Sequence, residues 1–225
     1  MHNIKVKLIS HSSVDGVLSA IGKPYKNENP SIELVKKICC DENYEEKHGS
    51  VLEHVYMTFD ILGASRCFLQ EMARHRIASP TVESTRFSLK KILKHFDEII
   101  KSGDDDENAC RNAIEKYFLF PENDILVNKG LSTEQITMYY NNLYDIDKKS
   151  IDTMRELMSN GISQNDILKY FIVENFRINM TWTINLRSYR NFLKLRKSEY
   201  AHFEINSVAC QTEDEVNKTW IKELI

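Results

Sequence analysis

The chain opens on an alternating pattern. Ile4, Val6 and Leu8 fall on one side of an extended segment and Lys5 and Lys7 on the other, as in a half-buried strand. The same period recurs from Val55 to Ile61, where Val55, Met57, Phe59 and Ile61 alternate with Tyr56, Thr58 and Asp60. It is cleanest where Ile178, Met180, Trp182 and Ile184 interleave with Asn179, Thr181, Thr183 and Asn185. Thr81 to Phe87 also reads as extended. Elsewhere the period lengthens to that of a helix. Asn29-Pro30 offers a cap and a first-turn proline ahead of Leu34, Val35, Ile38 and Cys39. Gly63 ends the second strand, and Ser65 caps a helix through Phe68, Leu69 and Met72 to about His75. Ser88 caps another, carrying Leu89, Ile92, Leu93, Phe96, Ile99 and Ile100.

In the middle of the chain, Asp104 to Glu107 is an acidic run with the character of a solvated loop. Ser132 with Gln135 forms a capping box before a helix through Ile136, Met138 and Leu143. A separate helix runs from Ser150 towards Met158 and ends at Asn160-Gly161. Further helices begin near Ser163 and near Ser188, the second passing through Phe192 and Leu195, and the tail is helical. No repeat and no Pro/Gly/Ser-rich linker divides the chain. The pattern predicts one domain, 1–225, of the α/β or α+β class, a mixed sheet flanked by helices.

Composition narrows the function. A chain of 225 residues with a net charge of −3 can bury a real core and does not coat nucleic acid or anionic membrane by bulk charge. No apolar run nears the roughly 20 residues that span a bilayer, and the N-terminus has no long apolar stretch of a signal peptide. Five cysteines, an odd number with no C-x-x-C, indicate neither a zinc site nor a disulfide framework. The expectation is a soluble, cytoplasmic protein with no metal site. The seven glycines are scattered and form no G-x-G-x-x-G or Walker loop. Any phosphate must be held another way.

Arginine supplies one. Of the ten arginines, seven lie in two windows: 74, 76 and 86, then 177, 187, 190 and 196. Guanidinium is a planar, permanent cation suited to phosphate and carboxylate. Any single arginine is better explained as a partner for a carboxylate or a helix end, but the clustering points to local anion sites.

The first window also carries a motif. Arg74-His75-Arg76, seven residues and then Ser84 resembles the signature of the flavin-dependent thymidylate synthases. Two further blocks resemble that family in the right order. His48-Gly49-Ser50-Val51-Leu52-Glu53-His54 is similar to its H-x-S/T-P-x-E-H segment, with Val51 where proline is usual. The stretch from Asn185 to Arg196 is similar to its N-A-R-S-x-x-N-F-L-x-L-R block. The resemblance implies the family's α/β fold and a homotetramer with shared active sites.

It also implies roles. FAD contacts would be His48, Ser50, Arg74, His75, Arg76, Asn185, Arg187 and Asn191; taken alone, Asn185 and Asn191 read as an ordinary strand end and helix face. Glu71, Arg74, Ser84, Thr85, Arg86, Lys169 and Arg196 would bind dUMP. Arg196 and Ser84 would be catalytic, the first by favouring ionisation at pyrimidine N3 and the second as a positioning or activating hydroxyl. The implied reaction converts dUMP to dTMP, with methylenetetrahydrofolate as carbon donor and NADPH as reductant through FAD. Several positions depart from the family pattern: Glu71 for Gln, Val82 for a residue often Glu, Lys169 for Arg, Val173 for Pro and Tyr200 for His. Two other functions fit the same residues. One is modification of C5 in a different pyrimidine nucleotide, and the other is binding of nucleotide or RNA without catalysis.

Overall fold

The computed structural model describes residues 4–40, 48–102 and 106–225. In chain order the elements are β1 (Lys5–His11), α1 (Asp15–Tyr25), α2 (Ile32–Cys39), a 3-10 helix (Gly49–His54), β2 (Tyr56–Ser65), α3 (Arg66–Met72), β3 (Ala78–Val82), α4 (Thr85–Ser102), α5 (Asp106–Tyr117) and α6 (Asn123–Asn128). There follow α7 (Thr133–Ser159), α8 (Asn165–Leu168), a 3-10 turn (Lys169–Phe171), β4 (Arg177–Asn185), α9 (Leu186–Arg196), α10 (Phe203–Val216) and a last 3-10 helix (Trp220–Leu224). Contacts divide them into two compact units. One comprises Gly63–Cys67 and Glu83–Ile178, the other Ile4–Leu62, Phe68–Val82 and Asn179–Ile225.

The second unit holds the paired length of a sheet in the order β1-β2-β4-β3. β1 is antiparallel to β2, and β3 to β4. Thr58 and Thr183 hydroxyls lie 3.0 Å apart across β2 and β4, and the Leu186 N–H donates to the Val55 carbonyl at 2.8 Å. The start of β2 therefore lies beside the end of β4. That pair is antiparallel too, and the expected mixed sheet is corrected to an antiparallel one. Alternation decides what is buried: Met57, Phe59 and Ile61 of β2 and Met180, Trp182 and Ile184 of β4 all enter the core. Phe59 packs against Trp182 and Tyr189 with ring centroids 5.9 Å apart in each pair, and Trp182 meets Phe192 at 4.9 Å. These aromatic contacts seat α9 on the sheet. At the β1 edge, the N–H groups of Val6 and Leu8 donate to Gln211 Oε1 and Glu215 Oε2 of α10, so side chains occupy the free strand edge.

The first unit is helical. Its core gathers Leu89, Leu93 and Phe96 of α4, Ile114 of α5, Ile151 and Met154 of α7, and Phe176. Arg177 donates Nε to the Phe118 carbonyl at 3.1 Å and Nη1 to the Gly63 carbonyl at 2.9 Å. One arginine of the second window is thus a backbone tie. Asp147 of α7 is fully buried; one carboxylate oxygen accepts from Asn175 Nδ2 at 2.8 Å and the other has no hydrogen-bond partner among the described residues. Desolvation pushes its pKa up to about 7.

Several predicted boundaries move, each for a local reason. β2 continues through Gly63, which adopts φ +75° inside the strand rather than ending it. α3 stops at Met72 and leaves the basic triad beyond its end. Ser31, not Asn29, caps α2, its Oγ accepting the Leu34 N–H at 3.3 Å. β3 ends at Val82, and the Ser84 carbonyl accepts the N–H groups of Phe87 and Ser88. Residues Thr85 to Phe87 are therefore helical, not extended. The capping box of Ser132 and Gln135 is present, but the two helices expected after it are the single α7. No glycine or proline interrupts that stretch, and Ser150 donates its hydroxyl to the Phe171 carbonyl instead of capping. Of the acidic run, residues 104 and 105 lie outside the described residues. α5 begins at Asp106, so the end of the run is helical rather than a loop.

Candidate functional site

α9 has two faces. Leu186, Tyr189, Arg190, Phe192 and Leu193 are buried, whereas Arg187, Asn191 and Leu195, spaced by four, share the opposite side. The helix starts where Asn185 Oδ1 accepts the Ser188 N–H at 2.9 Å, so the cap sets which residues face which way. The turn after α3 carries Arg74, His75 and Arg76. It is closed by the N–H groups of Arg74 and His75 donating to the carbonyls of Glu71 and Met72.

These two pieces of chain line one open cavity of about 740 Å³ within the sheet unit. Arg74, His75, Arg76 and Ile77 come from the turn; Arg187, Ser188, Asn191, Leu195 and Arg196 come from α9. Four arginines converge there, but they differ in charge balance. Arg187 Nη1 lies 2.6 Å from Glu53 Oε1, and Arg196 Nη1 lies 2.6 Å from Glu71 Oε2. Arg74 and Arg76 are exposed and have no carboxylate partner among the described residues. The net positive charge of the cavity therefore resides on the turn. His75 is half-buried, edge-on to Phe192 at 5.0 Å, with Nε2 2.9 Å from Arg196 Nε. Its pKa is held down at about 4, first by burial and then by the Arg196 charge, with Glu71 opposing both.

Six of the sequence-derived candidates thus line one cavity: Arg74, His75, Arg76, Arg187, Asn191 and Arg196. Glu71 stands behind Arg196 as its ion partner. Asn185 serves as the helix cap. His48 and Ser50 are exposed at and in the 3-10 helix that carries Glu53, and neither lines the cavity. Ser84, Thr85, Arg86 and Lys169 belong to the helical unit. There Ser84 and Thr85 form the start of α4, and the Arg86 carbonyl accepts from Asn165 Nδ2 at 2.7 Å. Arg190 leaves the anion-binding group: it is buried and donates to the Leu224 carbonyl at 2.5 Å. Sequence reasoning missed Glu53 as the partner of Arg187, and Ile77, Ser188 and Leu195 as lining. Glu53 lay inside a recognised motif, but 134 positions separate it from Arg187 and no local pattern links them. No cluster of three or more His, Cys, Asp or Glu side chains able to hold a metal occurs among the described residues. No helix among them is long and apolar enough to cross a membrane.

Known proteins resemble this chain in sequence and fold. The family described as thymidylate synthase complementing protein matches residues 9–220. A flavin-dependent thymidylate synthase of Wolinella succinogenes is 39% identical over 165 residues, 73% of this chain and 68% of that protein. One from Campylobacter jejuni is 37% identical over 163 residues, 72% of this chain and 66% of that protein. The matched regions thus span about two thirds of those relatives' length. The crystal structure of thymidylate synthase X from Helicobacter pylori with FAD and dUMP superposes with a TM-score of 0.71 at 26% identity, over 95% of this chain and 93% of that one.

Proposed function

The chain belongs to the thymidylate synthase complementing protein family, and from that premise we propose that it is a flavin-dependent thymidylate synthase. It converts dUMP to dTMP, with methylenetetrahydrofolate as carbon donor and NADPH as reductant. The observation that carries this reading is the convergence of two sequence blocks, Arg74-His75-Arg76 and Arg187 to Arg196, on one cavity.

The residues present fit FAD. Arg74 and Arg76 bring two guanidinium charges that no described carboxylate offsets, which suits a diphosphate. Asn191 and the Glu53-held Arg187 offer amide and guanidinium N–H groups from one helix face, suited to the edge of a heteroaromatic ring. When bound, FAD supplies the reducing equivalents that NADPH replaces. Arg196 has Nε committed to His75, and one hydrogen on each Nη committed to the carboxylate or carbonyl of Glu71. The second hydrogen on each Nη is left to donate to the pyrimidine, where a fixed donor lowers the energy of an N3 anion. Ser84, Thr85, Arg86 and Lys169 hold the nucleotide in a cytoplasmic homotetramer with shared active sites, and His48 and Ser50 complete the flavin contacts in that assembly. The family resemblance supports these assignments.

An absorption spectrum of the purified protein, before and after adding FAD, tests the cofactor. Tritium release from 5-labelled dUMP, compared with dCMP and UMP, tests the substrate. Flavin bands and release from dUMP are expected. A protein that takes up no flavin, or that releases tritium only from another pyrimidine, overturns the reading.

A further inference from the structure

Glu71, Arg196 and His75 form a hydrogen-bonded chain. Glu71 Oε2 accepts from Arg196 Nη1 at 2.6 Å, and its own carbonyl accepts from Nη2 at 3.4 Å. The remaining side of the guanidinium, Nε–H, points at His75 Nε2 at 2.9 Å. An arginine side chain keeps its protons and has no acceptor atom, so at this contact Nε–H must be the donor and Nε2 the lone pair. A neutral imidazole has one bare nitrogen and one protonated one. With Nε2 bare, the proton sits on Nδ1, and Nδ1 has no hydrogen-bond partner among the described residues. His75 lines the cavity, so that N–H is a donor available to a ligand.

The carboxylate makes this arrangement hold. The Arg196 side chain is only 15% exposed, and the 2.6 Å bond from Nη1 to Glu71 Oε2 is shorter than its contacts to His75 and to the Glu71 carbonyl. Without Glu71 the guanidinium can turn towards solvent, and Nε no longer faces His75. The carbonyl contact at 3.4 Å is too long to hold it alone.

We propose that Glu71 is a positioning residue whose carboxylate orients Arg196 so that Arg196 locks His75 in the Nδ1–H tautomer, a neutral donor matched to an uncharged acceptor such as a carbonyl oxygen or ring nitrogen. This deepens the proposed function, because it gives His75 and the arginines beside it different partners: Arg74 and Arg76 take charge, and His75 takes a neutral ring atom. It also moves Glu71 from direct substrate contact to action through Arg196. The tautomer is a property of the free chain and does not depend on whether flavin or dUMP is the ligand.

The test is nitrogen NMR on the full-length chain, deuterated and selectively 15N-labelled at histidine, without ligand. His75→Gln assigns the resonance. At neutral pH the wild-type protein is expected to show His75 with Nδ1 protonated and Nε2 bare. The charged groups acting on it are Arg196 and Glu71. In Glu71→Ala and Arg196→Ala the two tautomers average, and in Arg196→Ala the titration also moves up, because a cation that holds it down is gone. Glu71→Gln keeps an oxygen for Nη1 and retains the wild-type signature, which a role for Glu71 as bulk charge does not predict. An Nε2–H tautomer or an imidazolium in the wild-type protein overturns the proposal, and that measurement stands even if an alanine variant fails to fold. An unchanged His75 signature in folded Glu71→Ala overturns it equally. A chain with the expected tautomer that takes up no flavin would refute the proposed function and leave this inference intact.

Discussion

The side-chain oxygen of Asn185 accepts the backbone N–H of Ser188 at 2.9 Å, and through this bond β4 becomes α9. It orients Arg187 and Asn191 towards the cavity while Tyr189 and Phe192 turn to the core. Asn185→Ala is expected to cost about 1 kcal/mol in urea denaturation, the usual worth of an N-cap. Asn185→Ser should restore most of it. Recovery of stability without recovery of flavin affinity would show that the amide also contacts the cofactor.

Arg74 and Arg76 differ from Arg187 and Arg196 in having no described carboxylate partner. Arg74→Ala and Arg76→Ala should each weaken FAD binding by about 10- to 100-fold, as expected for loss of one charge-assisted hydrogen bond. Spectrophotometric titration would measure this. The penalty should shrink at high salt because the site is open to solvent.

Arg190 belongs to the same sequence window as Arg187 but is buried against the Leu224 carbonyl. Arg190→Ala should destabilise the protein by about 3 kcal/mol, through an unpaired carbonyl and an unfilled volume. The exposed Arg76→Ala should change stability by less than about 0.5 kcal/mol. Equal denaturation midpoints for the two variants would refute this contrast.

Arg196→Ala should leave flavin absorption in place and reduce turnover by about 100-fold or more, the outcome expected from its proposed donation to the pyrimidine rather than the diphosphate. Turnover within a few-fold of wild type would remove it from the catalytic role.

Two desolvated groups, one buried and one half-buried, give opposite pH trends. Asp147 has a folded pKa of about 7, above its unfolded value, so its contribution is fully present below about pH 4 and is lost as pH rises through 7. His75 is depressed to about 4, so its contribution is present above its unfolded value of about 6.5 and is lost as pH falls through 4. Denaturation across this range should show Asp147→Asn more stable than wild type on the alkaline side only. His75→Gln should flatten the acid side only.

The strands were legible because each hides one face: a period of two at Met57, Phe59 and Ile61, or at Met180, Trp182 and Ile184, has only one burial solution. The capping box at Ser132 was legible because it is written in adjacent residues. Boundaries failed where one local signal had two readings. Gly63 could end a strand or permit a positive φ within it, and Ser150 could cap a helix or bond a distant carbonyl.

The sequence by itself determined the alternating strands, the amphipathic face of α4, and the three blocks that resemble the family. Each depends on residues near one another in the chain, where spacing maps directly onto geometry. Only the tertiary structure decided which arginines are free and which are spent. Arg177, Arg187, Arg190 and Arg196 find partners at Phe118, Glu53, Leu224 and Glu71, which lie 59, 134, 34 and 125 positions away. A guanidinium looks the same in every sequence window. Whether it grips a carbonyl, balances a carboxylate or waits for an anion is settled by what the fold brings within hydrogen-bonding distance.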